Sequence, residues 1–195
     1  MRESIFERFG RRFEEQLIAA VDSLFLDESI DFNVKDALVP QLDEAIEVAG
    51  NHRDGRIAEW LHHLYFYCTF RGHHTSYLRL TEIVEQISGE NQSVLAVALG
   101  NRALILQDRG QLDEALELHR KEQAIYEALG DRAGLARTWW NQGILHGVQG
   151  RIEVQIQLWK RSIETNRSIG IPTVGYEKAL QELLGMEDQD PPANS

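Results

Sequence analysis

The chain has 195 residues, 43% hydrophobic and 26% charged, with 31 acids against 20 bases and a net charge of −11. That length suits one domain, or one domain with an extension, and is enough to bury a core without covalent staples; the single cysteine, Cys68, excludes a disulfide framework and a four-cysteine zinc site. The acidic balance argues against nonspecific nucleic-acid binding, which needs a basic surface, and no apolar run approaches the roughly 18 residues of a membrane span. Met1-Arg2-Glu3 opens no charged-then-apolar leader. A soluble cytoplasmic protein is expected.

In chain order, Ile5, Phe9, Phe13, Leu17, Val21 and Leu24 recur every three or four residues, which predicts one long amphipathic helix over residues 3–27. A second helix is expected over about Asn33–Val48. Pro40 either kinks it or stands at its first position. From there the sequence is punctuated by glycine. Gly50, Gly89, Gly130 and Gly170 are 39, 41 and 40 residues apart, and Gly72, Gly110 and Gly150 are 38 and 40 apart. The two ladders interleave, so a helix-terminating glycine is expected about every 20 residues. The stretches from Gly100 and from Trp140 align without a gap, pairing Asn101 with Asn141, Ala103 with Gly143, Leu118 with Leu158 and Gly130 with Gly170. A looser copy begins at Ile57. Asp131 and Asn91 are placed to cap helices. Pro172 fits the first turn of a last helix running to about Leu184, and the acidic, proline-bearing tail after Gly185 reads as disordered.

Each unit offers two helices whose apolar stripes need a neighbour to cover them, so stacked units would bury a continuous core and atypical ends would cap it. The residues that recur also have a family likeness. A large apolar residue early in the first helix of a unit (Leu99, Trp139) is followed by a small one (Ala103, Gly143). A turn glycine (Gly110, Gly150) and Leu112 or Ile152 then open the second helix. This pattern resembles tetratricopeptide repeats, in a 40-residue form similar to that of kinesin light chains and bacterial signalling NTPases. It covers residues 50 to about 171. Three positions depart from it: Gln155 and Tyr77 stand where the second helix prefers a small residue, and Tyr65 replaces the small residue of the first helix.

The resemblance implies an all-α, right-handed superhelical stack of antiparallel helix pairs (an α-solenoid) with about nine helices. Its expected parts are an N-terminal pair (1–49), three repeats (50–171), a capping helix (172–186) and a tail (187–195). It further implies that the first helices of the units line a concave groove holding a peptide or helix of a protein partner. Carried over by position, the groove residues are His62, His63, Phe66 and Phe70 in the first repeat. The second gives Val97, Asn101, Leu104, Gln107 and Asp108, and the third Arg137, Trp140, Asn141 and Ile144. A side-chain amide can donate and accept at once, which suits an extended peptide backbone, whereas Asn inside a helix is otherwise mildly unfavourable. Each of the two asparagines meets a ligand or bonds a neighbouring helix. Trp139 is expected in the core. Trp140, next to it, is expected in the groove or beneath the next helix.

No phosphate loop, G-x-S-x-G, H-E-x-x-H or C-x-x-C occurs. No enzyme activity, cofactor or metal is expected. His62, His63, His73 and His74 near Cys68 leave a metal enzyme as a remote alternative. A regulatory component like the repeat arm of a signalling NTPase is the nearer one, and self-association through the first helix stays open. The charge is uneven: residues 1–12 carry +2, 13–49 carry −9, 50–171 are neutral and 172–195 carry −4. The acidity therefore sits at the two ends of the array, where solvated caps belong.

Overall fold

The computed structural model describes residues 5–25, 27, 29–52, 57–89 and 91–187. The regular elements among these residues are all α-helices: α1 (Ile5–Phe25), α2 (Phe32–Ala37), α3 (Val39–His52), α4 (Ile57–Arg71), α5 (His74–Ile87), α6 (Gln92–Asp108), α7 (Leu112–Leu129), α8 (Arg132–Val148), α9 (Ile152–Ser168) and α10 (Val174–Glu187). They form two compact units, Met1–Ile105 and Leu106–Ser195, divided within α6. The ten helices are one more than expected, because the span around Pro40 breaks in two. The N–H of Leu38 closes α2 on the carbonyls of Lys35 and Asp36. Pro40 then falls in the first turn of α3, where a missing N–H costs no helical bond.

Six of the seven ladder glycines have positive φ, between 52° and 79°, and occupy the turns between helices. The left-handed conformation is open to glycine without a Cβ penalty, so these positions end each helix where the spacing predicts. Gly50 is the exception. It lies inside α3, which continues to His52, and a Cβ there would collide with Ile83 of α5. It marks a helix crossing, not a helix end. Asp131 and Asn91 cap as expected, accepting from Gly134 N at 2.9 Å and Val94 N at 3.3 Å. Pro172 precedes α10 instead of opening it, and α10 extends past Leu184. The tail assigned to 187–195 lies outside the described residues from 188 onward.

The core of the first unit joins α1, α3, α4, α5 and α6 through Ile18, Val21, Phe25, Leu42, Ile46, Trp60, Leu64, Tyr77, Leu80 and Ile105. The first helix packs on α3 through its C-terminal half; the side chains of Ile5, Phe9 and Phe13 lie outside the described part. Two polar ties hold this end. Trp60 Nε1 donates to Asp22 Oδ1 at 2.6 Å. Lys35 is buried, and its Nζ donates to the carbonyls of Phe25 and Asp27 at 3.1 and 2.7 Å. A cation placed on carbonyls at the end of α1 satisfies groups the helix leaves unpaired.

In the second unit α8 packs on both α7 and α9, and α9 on α10. The α8–α9 contact is close because α8 carries glycine where α9 carries bulk. A Cβ on Gly143 would sit 2.5 Å from Trp159 Cδ1, and one on Gly147 would collide with the Gln155 amide. The departure noted at Gln155 is thus absorbed by the facing helix. Between α7 and α8, His119 Nδ1 and Glu122 Oε2 form a buried pair at 2.7 Å. Gln142 on α8 donates to the His119 carbonyl and to Gln123 Oε1 at 3.2 and 2.9 Å.

A Gly→Ala change at an open helical position gains about 1 kcal/mol. At Gly143 the sign reverses: overpacking against Trp159 is expected to cost about 1–3 kcal/mol. The check is a lower urea midpoint for Gly143→Ala; an unchanged or higher one removes the close approach as a constraint.

Candidate functional site

The residues expected to meet a partner are divided between the two units, and each unit is described by itself. In the first unit α4 is apolar on both sides. One side is the core; the other presents Glu59, His63, Phe66 and Phe70 at helical spacing of four, three and four. Phe66 and Phe70 are 64% and 65% exposed and stack on each other, with centroids 5.7 Å apart and rings 8° from parallel. Phe70 also touches Phe32 of α2 at 5.8 Å. The side chain of His62 lies outside the described part. Val97 and Leu104 on α6 are half-buried.

Asn101 is drawn into the fold. Its Nδ2 donates to Tyr77 Oη at 2.7 Å and to the Leu61 carbonyl at 3.4 Å, while Tyr77 Oη donates to that same carbonyl. The phenol lies deep, and desolvation pushes its pKa far above the ordinary tyrosine value. Asn101 therefore takes the alternative in which an amide bonds neighbouring helices.

Beside Phe70, an ionic cluster closes the seam between α2 and α4. The carboxylate of Asp36 accepts from Arg71 Nε at 3.0 Å and from Tyr67 Oη at 2.9 Å, and lies 3.0 Å from His73 Nε2. The Arg71 guanidinium, then His73, hold the Asp36 carboxyl well below the usual carboxylate range. Burial pushes the Cys68 thiol up to about 12, so it is a packed, inert group. Among the described residues no three His, Cys, Asp or Glu side chains converge as metal ligands.

In the second unit the outward face of α8 carries Arg137, Trp140, Asn141, Ile144 and Val148. Gln107 and Asp108 stand at the end of α6, where Gln107 is half-buried and its Oε1 has no partner among the described residues. Arg137 Nη2 donates to Tyr126 Oη at 2.7 Å, with the guanidinium 5.7 Å from that ring's centre. Trp139 is in the core, as expected, and Arg161 stacks over it at 3.8 Å. Trp140 lies flat on Trp159, 4.1 Å between centroids and 11° from parallel, and meets Tyr176 edge-on at 4.6 Å. Trp159 Nε1 donates to the Trp140 carbonyl at 3.1 Å, which fixes both rings. An open cavity of about 290 Å³ adjoins them, lined by Trp140, Pro172, Val174, Gly175 and Tyr176. Val174 at its rim is 79% exposed. None of the four residues besides Trp140 was expected at a site; the signal that could have found them is the bulk of Trp159 opposite Gly143.

Asn141 is half-buried and has no hydrogen-bond partner among the described residues. The contrast with Asn101 has a simple cause. Five residues past the turn glycines Gly72 and Gly110, α5 carries Tyr77 and α7 carries Ala115. Ala115 has no hydroxyl to receive an amide, so Asn141 is left available.

Residues 94–167 match the family model of the tetratricopeptide repeat. No curated protein matches the sequence.

The two asparagines are expected to respond differently to truncation. Asn101→Ala removes a hydrogen bond inside the fold and is expected to cost about 0.5–1.5 kcal/mol. Asn141→Ala, with nothing to lose and a better helix former gained, is expected to be neutral or stabilising by a few tenths of a kcal/mol. Urea denaturation of the two variants reads the difference, and equal losses contradict it. The Asp36 carboxyl is depressed in the folded state, so its contribution is present above the unfolded value of about 3.9 and is lost as pH falls below it. Thermal melts from pH 7 to pH 3 are expected to fall less steeply below pH 4 for Asp36→Asn than for the wild type.

Proposed function

With residues 94–167 matching the tetratricopeptide repeat, a protein-interaction module, we propose that the outward face of α8 holds an extended segment of a partner protein and that the protein acts without catalysis. The carrying observation is Asn141. A half-exposed amide without a partner among the described residues costs helix stability and contributes nothing to the fold. Facing a peptide backbone, it donates to a carbonyl and accepts from an N–H, and so holds an extended chain whatever its side chains. Arg137, one turn earlier, keeps donors free beyond the one given to Tyr126, and these suit a carboxylate. Trp140 and its cavity offer an aromatic wall for an apolar side chain, and Ile144 and Val148 extend the apolar surface.

In the first unit His63, Phe66, Val97 and Leu104 form the corresponding surface, with Phe70 beside them. Asn101 there keeps only its amide oxygen for a partner. Two large exposed phenylalanines stacked on one helix are the composition of an interaction face, because water contact with both rings is unfavourable by roughly 25 cal/mol per Å².

The test is quantitative capture from cell extract with the wild type and with Arg137→Ala/Asn141→Leu. Loss of two or three polar contacts of about 0.5–1.5 kcal/mol each predicts at least a fivefold drop in the retained partner. Equal retention by the two proteins overturns the assignment of this face.

A further inference from the structure

The outward face of α4 has a chemistry that selects its partner. Phe66 and Phe70 stack on each other and remain 64% and 65% exposed, and Phe32 of α2 adjoins Phe70 at 5.8 Å. Glu59 and His63 continue the face toward the start of the helix, so it runs about 16–17 Å from Glu59 to Phe70. Stacked phenyl rings offer nothing to pair with a peptide N–H or carbonyl. The amide donor that the repeat pattern would place in this unit, on Asn101, is spent on Tyr77 and Leu61. An extended segment laid on these rings would lose water from its backbone and gain no hydrogen bond in return. A helix bonds its own backbone and presents only side chains. Its apolar residues, three and four apart, also match a ridge of the same spacing on α4. The face therefore suits a helix.

Charge narrows the choice further. Every lysine and arginine whose side chain is described in the first unit is already answered. Arg71 meets Asp36, Arg79 meets Glu47, Arg102 meets Glu85, and Lys35 meets the carbonyls of Phe25 and Asp27. Acids are in surplus at both ends of the aromatic face. Glu59 is exposed and has no ion-pair partner among the described residues, about 10 Å along the helix from Phe66. At the other end Asp31 is exposed next to Phe32, and it stands with Asp36 against one permanent base, Arg71. Residues 13–49, which supply α2, carry −9.

We propose that the α4 face binds a basic amphipathic helix of a partner protein. Its apolar side chains lie on Phe66 and Phe70, and its lysines or arginines reach Glu59 at one end and Asp31 at the other. The acid surplus turns away an anionic lipid surface. It also disfavours a second copy of this chain, because both ends of the face are acidic and pairing in either direction sets acid against acid. The proposal rests on the reading of this face as an interaction surface and is independent of the α8 face.

The probe is a fluorescein-labelled, alanine-based helix of about 18 residues, with leucines three and four apart on one side and lysines on the flanks. Its counterpart carries glutamate for lysine. Fluorescence anisotropy with the full chain is expected to show saturable binding of the lysine helix, at least fivefold tighter than that of the glutamate helix. Glu59→Gln/Asp31→Asn is expected to weaken it at least threefold; asparagine keeps the cap on α2, so that change removes charge alone. Phe66→Ser/Phe70→Ser is expected to weaken it at least fivefold. Phe66→Ser alone, whose described ring contact is with Phe70, is expected to weaken it at least twofold, and it decides the matter if circular dichroism shows the double variant unfolded. Equal binding of the two helices, no binding of either, or binding indifferent to the phenylalanines overturns the proposal. A dimer in sedimentation velocity that is lost in Phe66→Ser also overturns it, since a second copy then covers the face. Capture from cell extract separates the two levels. If the probes fail but Phe66→Ser/Phe70→Ser still lowers the retained partner, the face is an interaction surface for another kind of segment. If capture is unchanged as well, the reading of the face falls with the proposal.

Discussion

The second unit depends on how near α9 comes to α8. Helix pairs usually keep 8–10 Å between axes, and the side chains at the crossing set the value. Gly143 and Gly147 leave a notch on α8, and Trp159 and Gln155 fill it from α9. This inverts the usual allotment of sizes, in which the second helix of a repeat supplies the small residue. The inversion has a reach beyond packing. Once Trp159 is seated against Gly143, its indole N–H finds the Trp140 carbonyl and its ring becomes the floor on which Trp140 lies. Tyr176 then meets the Trp140 ring edge-on, and the cavity opens between these two rings and the start of α10. The candidate site is therefore built on the absence of one side chain, two residues beyond Asn141.

The first unit is organised differently, by polar groups buried or half-buried at helix ends. Lys35 covers the carbonyls where α1 stops, Trp60 reaches Asp22, and Tyr77 binds both Leu61 and Asn101. Such contacts are directional, so they fix register where apolar packing alone would tolerate slippage. With them in place, a unit that leaves two large phenylalanines in the open needs no further apolar cover to hold its shape. Its hydrophobic core is complete beneath them, through Trp60, Leu61, Leu64 and Tyr67 on the opposite side of the same helix.

Much of this was legible in the sequence, for physical reasons that also mark where reading stopped. The turn glycines were readable because a glycine recurring every 40 positions between apolar helical stripes serves almost nothing but a left-handed helix end. Gly50 shares their spacing but serves a crossing, and spacing cannot tell a missing Cβ that frees a backbone from one that admits a neighbour. The break at Leu38 was blurred because proline tolerates both a kink and a first turn. Trp139 in the core and Trp140 out of it followed from the 100° step between adjacent helical residues. The cavity did not, since Pro172, Val174 and Tyr176 belong to a segment outside the repeat pattern. The aspartate–arginine–histidine cluster at Asp36 joins residues up to 37 positions apart, beyond any local period.

The pairing of Asn101 with Tyr77 bears on how freely such an array can lengthen or shorten. A repeat protein is often treated as a string of interchangeable modules, each indifferent to which copy precedes it. Here Asn101 on α6 is answered by the phenol of Tyr77 on the helix before it, and α7 carries Ala115 at the place that matches Tyr77. Inserting another copy of the Ala115-bearing unit ahead of Asn101 would strip that amide of its partner, and deleting a unit so that Asn141 followed Tyr77 would supply one and close the amide off from solvent. The residue at this one place on the preceding helix thus decides whether an asparagine amide is taken into the fold or left to solvent.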